Sequence, residues 1–140
     1  MTQEDKKLLL IDLCAMLPYN CRVFYEYIDD LDNKTYGYSL TLNTWCIDEF
    51  IANKAVIKPY LRSMSSMTEE ELHELQEILG PGIEIRGNLI DILDSSIHIF
   101  SLLELQAVFD WLNAHHFDYR GLIKKGLALE VTKENNPYKE

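Results

Sequence analysis

The densest set of chemically capable side chains is the stretch HHFDYRG, residues 115–121. His115, His116, Asp118, Tyr119 and Arg120 beside a helix end make a possible acid–base or anion-binding set. Adjacent histidines diverge by about 100° on a helix, so His115 and His116 are poorly placed to ligate one metal ion. His116 also continues an apolar seam, where a hydrogen-bonded core histidine is the commoner role. The second set is Lys58-Pro59-Tyr60-Leu61-Arg62, followed by Ser63, Ser65 and Ser66. Tyr60 and Arg62, close to hydroxyls and a helix start, could hold a phosphate or carboxylate. The plainer reading is that Ser and Thr cap the helix while Arg62 pairs with one of many acids. No P-loop, dinucleotide, nucleophile-elbow, zincin or zinc-ribbon spacing is present. The stretch Asp30 to Lys34 opens like a calcium loop but puts lysine where the third ligand belongs. No residue is therefore assigned as catalytic, and no metal or cofactor is implied.

The elements that must position these residues can be read from spacing. Thr2 caps a first helix, with Asp5 three residues on. Leu9, Leu13, Met16 and Leu17 form its face, broadened by Leu8, Ile11 and Ala15, and Pro18 ends it. Asp12 is the one charge in that run, and Cys14 reads as a small buried hydrophobe. Residues 21–28 and 35–42 alternate as a hairpin across the turn-forming loop Asp29 to Lys34. One register pairs Tyr27 with Tyr36, Tyr25 with Tyr38 and Val23 with Leu40. The tyrosines read as an amphipathic wall of the core. Trp45 to Ile57 is a short helix or irregular. Thr68 and Glu71 form a capping box for a helix with the stripe Leu72, Leu75 and Leu79, stopped by Gly80-Pro81-Gly82. Ile83 to Asp94 reads as a second hairpin turning at Gly87-Asn88. Helix 101–116 follows, with the seam Leu102, Leu105, Phe109, Leu112 and His116 and the wet face Gln106, Asp110 and Asn113. Asp118 caps a short helix that Gly126 stops, with Lys124 and Lys125 at its end, and Leu127 to Val131 can add an edge strand.

These elements predict an α+β fold: a small antiparallel sheet of two hairpins and an edge strand, packed against three to four helices. Residues 1–131 form one domain, and 132–140 a polar, frayed tail. The chain of 140 residues carries 13 basic and 23 acidic residues, a net charge of -10. Such a surface repels nucleic-acid phosphates and anionic membranes. It reads first as the solvated face of an acidic protein, and alternatively as a surface shaped for a basic protein patch. Three cysteines without CxxC spacing fit a reducing compartment. The opening apolar run is interrupted by Asp12 and is shorter than the about 20 residues that span a bilayer, so the expected location is cytoplasmic.

Two stretches, KPYLRSMSSMTEEE (58–71) and DWLNAHHFDYRGLIKKGLALE (110–130), resemble signatures of a family of small proteins from Bacteroides-group gut bacteria, their prophages and phages. The resemblance extends roughly over the whole chain. No activity, cofactor or catalytic residue attaches to that family. The resemblance implies a bacterial cytoplasm and a mobile-element origin. Members typically have Pro after the arginine of the first stretch, where this chain has Ser63. The expected function is a non-enzymatic accessory protein that binds a protein partner, such as a modulator or inhibitor of a host factor. Alternatives are a small enzyme or ligand-binding domain using residues 115–120, and a minor virion assembly component that self-associates.

Overall fold

A computed structural model describes residues 1–80, 83–86, 89–92 and 101–139. The fold is α+β, with helices α1 (Gln3–Met16), α2 (Thr44–Ile51), α3 (Glu69–Leu79) and α4 (Leu102–Ala114). A mixed, mostly antiparallel sheet contains β1 (Arg22–Ile28), β2 (Thr35–Thr41), β3 (Ala55–Leu61) and β6 (Leu129–Glu130), in the order β2-β1-β3-β6. A separate pair, β4 (Ile83–Arg86) and β5 (Leu89–Ile92), is antiparallel. Its expected turn at Gly87-Asn88 lies outside the described residues, as do Pro81 and Gly82.

Local chemistry accounts for the helix starts. Thr2 Oγ1 accepts from Asp5 N at 3.0 Å, and Asn43 Oδ1 accepts from Cys46 N at 2.9 Å. Thr68 with Glu71 and Ser101 with Glu104 both close reciprocal capping boxes. The β1–β2 register is the one predicted: Tyr27 opposes Tyr36, Tyr25 opposes Tyr38, and Val23 opposes Leu40. Gly37 admits the Phe24 ring, because a Cβ there would lie 2.4 Å from Phe24 Cζ.

Of the stretch Trp45 to Ile57, expected as a short helix or irregular chain, the first part forms α2 and the last residues open the internal strand β3. Pro59 within this strand has no N–H to donate to a ladder. Residues 24 and 26 of β1 turn their amides toward β3, so the facing β3 amides are those of Lys58 and Val56. The missing N–H of Pro59 points to the other side, where β6 pairs only Tyr60 and Leu61. No ladder bond is lost.

Two cores result. Leu9, Leu13 and Met16 of α1 pack with Val23, Tyr25, Ile57 and Leu61 of the sheet and with Cys46, Ile47 and Phe50 of α2. Leu75, Leu79, Val108, Leu112, Met64 and Phe117 form the second. Several expected faces are corrected. Ile11 and Cys14 are exposed, while Asp12 is buried. On α4 the inward face is Val108, Leu112 and Asn113, and Leu102, Leu105 and Phe109 are exposed. Residues 122–126 form turns rather than a helix.

The C-terminal segment, read as frayed, is anchored by Tyr138. Its hydroxyl accepts from Arg22 N at 2.9 Å and donates to Tyr60 O at 2.8 Å. It thus fills the end of the β1–β3 ladder, where those two groups face each other. Tyr138→Phe would leave both backbone groups without that partner. The expected loss is about 1–3 kcal/mol in urea denaturation, and an unchanged midpoint would refute the anchor.

Candidate functional site

The two polar stretches singled out in the sequence meet at one junction. Beyond β3, Arg62 forms a parallel bridge with Phe117. Arg62 N donates to His116 O, and Asp118 N donates to Arg62 O, both at 2.8 Å. The backbone of 116–118 is therefore stitched to the end of the central strand.

The sequence His115-His116-Phe117 is the C-terminal cap of α4. Phe117 N donates to Leu112 O and His116 N to Asn113 O, both at 3.0 Å. With His116 left-handed at φ 61°, this is the Schellman arrangement. Its usual apolar contact is present, since Phe117 and Leu112 share the second core. The helix therefore stops at Ala114 rather than running to 116. His116 occupies a position normally given to glycine. Its Nε2 donates to Tyr19 O at 2.8 Å, and its ring stacks on Tyr138 at 4.3 Å. Burial pushes its pKa below the ordinary histidine value, which favours the neutral ring. His115 Nδ1 donates to Trp111 O at 2.8 Å, and its ring stacks on Trp111 at 4.0 Å. Its Nε2 lies 3.8 Å from Glu74 Oε2.

The remaining candidates are also committed to neighbours. Arg62 grips Glu71 with two parallel bonds of 2.7 Å, and its guanidinium lies 4.2 Å from the Phe117 ring centre. The Arg62 hydrogen bonds hold the Glu71 carboxyl down at about 2. Tyr60 is buried and accepts from Ser39 Oγ at 3.2 Å. Asp118 accepts from Leu122 N at 2.8 Å and Ile123 N at 3.0 Å, capping the turn that replaces the expected helix. Tyr119 donates to Asn113 Oδ1 at 2.9 Å.

Arg120 Nη1 donates to Asp12 Oδ1 at 2.8 Å. Asp12 is 1% exposed, and among the described residues its Oδ2 has no hydrogen-bond partner. Burial raises its pKa to about 6, against the opposing pull of Arg120. Asp12 was visible as a lone charge in an apolar run, but its partner 108 positions away was not.

A cleft of about 450 Å³ lies at the junction, lined by Arg62, His115, His116, Val131, Asn136 and Tyr138. It gathers three of the seven candidate residues; Tyr60, Asp118, Tyr119 and Arg120 do not line it. Among the described residues, no group of three or more His, Cys, Asp or Glu side chains is placed to hold a metal ion. No helix among them is long and apolar enough to cross a membrane. Comparison with protein-family models, curated proteins and solved structures finds no match to this chain.

A different cluster has rings on the outside. Tyr36, Tyr38 and Trp45 are 41%, 44% and 50% exposed. They lean on Tyr25 and Tyr27: the Tyr25–Trp45 ring centres are 5.1 Å apart, Tyr25–Tyr38 5.5 Å and Tyr27–Tyr36 6.0 Å. The expected core wall thus holds for Tyr25, which is buried, and becomes a surface rim at β2 and Trp45.

The Arg120–Asp12 pair gives a pH-dependent prediction. Removing Arg120 leaves Asp12 buried without its cation, and breaking such a pair costs about 3–5 kcal/mol. Asp12 binds its proton more tightly folded than unfolded. Its ionisation therefore lowers stability as pH rises from its ordinary 3.8 toward about 6. Arg120→Met should lose about 3–5 kcal/mol at pH 7.5 and distinctly less at pH 5, where Asp12 takes up a proton. Equal losses at both pH values would contradict this account.

Proposed function

We propose that this chain is a non-enzymatic accessory protein that acts by binding another protein, with Tyr36, Tyr38 and Trp45 as its docking surface. The observation that carries this reading is the exposed aromatic rim itself. Its rings are large and amphipathic, and ring contacts with Tyr25 and Tyr27 hold them in place. Little side-chain freedom is lost when such groups are covered, which is why Tyr and Trp dominate binding hot spots. The net charge of -10 adds a preference for a partner with a basic surface. The resemblance to proteins of Bacteroides-group bacteria and their phages supplies the context: a mobile-element product that modulates or inhibits a host factor in the cytoplasm.

The ligand-binding alternative draws on the cleft at Arg62, His115 and His116. Its polar groups already serve the fold: Arg62 holds Glu71, His115 bonds Trp111, and His116 bonds Tyr19. Protein binding is therefore the better-supported reading.

Photo-crosslinking in the native host tests it. A benzophenone amino acid at Tyr38 or Trp45 should capture one discrete host protein, while the same group at exposed Lys7 should not. With that protein purified, Trp45→Ala should weaken the complex about 30-fold, the scale of a hot-spot aromatic. No heterologous adduct at either position, or an adduct whose affinity ignores Trp45, would overturn the proposal.

A further inference from the structure

A cavity of about 380 Å³ lies where the first turn of α1 meets the end of β1 and the start of β3. It shares no lining residue with the cleft at Arg62. Lys6, Glu26, Tyr27, Phe50, Asn53 and Lys54 are on its walls. Local backbone chemistry places Lys6. Helix α2 ends at Ile51, and Asn53 takes a left-handed turn at φ 60°, a conformation that asparagine tolerates. The Ile51 carbonyl and Asn53 Oδ1 are thereby turned to one side. Lys6 Nζ donates to both, to Ile51 O at 3.4 Å, and lies 5.5 Å from the Phe50 ring centre.

Each of those partners is neutral. An ammonium has three donors, and these bonds take two. Among the described residues, no carboxylate lies within ion-pair distance of Lys6 or Lys54. Arg62 and Arg120, by contrast, are each matched to an acid. In a chain of net charge -10 acids are plentiful, yet these two cations share a cavity with Glu26 as the one acid among its lining residues.

We propose that this cavity binds a small organic carboxylate, its anionic group on Lys6 and Lys54 and its apolar body against Tyr27. The volume falls in the range of small-molecule sites, about 300–1,000 Å³. Lys6, Lys54 and Glu26 sum to a single positive charge. One negative charge completes the set, and a doubly charged phosphate leaves an excess. The Lys6 ammonium is held in place before the ligand arrives, so little side-chain ordering is lost on binding. The site does not rest on the partner-binding reading, because Tyr36, Tyr38 and Trp45 do not line it.

A titration of the full chain with phenylacetate, followed by backbone amide NMR shifts, tests the site. Saturable shifts should appear at Lys6, Asn53, Lys54 and Ala55. Phenylacetamide, which has the same shape without the charge, should give none, and phenyl phosphate should bind more weakly than phenylacetate. Lys54→Met should weaken phenylacetate about threefold, the scale of an exposed ion pair. Lys6→Met should weaken it at least about tenfold, the scale of a hydrogen bond to a charged group. Lys6→Met also unfastens α1 from the end of α2. The amide control and Lys54→Met leave that contact intact, so they decide the matter on the folded chain. No saturable shift below about 10 mM, the floor for a probe of this size, would overturn the proposal. So would equal binding of phenylacetamide, phenyl phosphate binding as tightly as phenylacetate or more so, or a Lys54→Met titration that matches the unmodified chain.

Discussion

The backbone of Arg62 is held on both sides by one segment: its N–H by His116 O, and its C=O by Asp118 N. That clamp links the two cores. Leu61, one residue before it, is buried with α1 and the sheet, whereas Phe117, the residue bridged to Arg62, is buried with α3 and α4. The side chain of Arg62 repeats the connection by gripping Glu71 at the start of α3 while covering Phe117. A chain of this size has little surplus stability, commonly about 5–15 kcal/mol. At this junction backbone, charge and ring contacts are satisfied together.

The same clamp explains why the polar sequence HHFDYRG looks like an active site and serves the fold. A chain leaving a helix and returning to a sheet exposes backbone donors and acceptors that must be satisfied in a small space. Asp118 supplies two acceptor oxygens to Leu122 and Ile123. His116 reaches the carbonyl of Tyr19, which follows α1, and Arg120 reaches back to Asp12 within α1. Each group ties the segment to a different element, so the side chains spread outward.

How much was legible in the sequence follows from the range of each interaction. The β1–β2 register was readable because alternation and the facing stripes of Tyr and Val or Leu are local signals. Capping boxes at Thr68 and Ser101 obey the same local grammar, although only the first was expected. The α4 face was misjudged because Leu102, Leu105 and Phe109 keep helical spacing whether or not anything covers them. Asn113 was assigned to water on polarity, yet it is buried and accepts from the Tyr119 hydroxyl. The end of α4 was hidden because histidine, not glycine, takes the left-handed cap. Whether Pro59 fits an internal strand depends on the side its ring nitrogen faces, which is a tertiary fact. Asp12 with Arg120, and Tyr138 with Arg22 and Tyr60, connect residues that no window of local pattern can relate.

The distribution of polarity then bears on function more than the composition does. The candidate arginines are paired inside, Arg62 with Glu71 and Arg120 with Asp12. Aromatic rings that could have completed the core stand at its rim. Burying Asp12 stabilises nothing by itself, since its desolvation outweighs what Arg120 returns and lifts its pKa. Its effect is to specify how the 115–121 segment sits on α1. By contrast, covering Tyr36, Tyr38 and Trp45 would remove apolar surface from water at roughly 25 cal/mol per Å², with little further ordering of rings already packed on Tyr25 and Tyr27. The rings at the β2 rim therefore present to solvent the kind of surface that the paired cations do not.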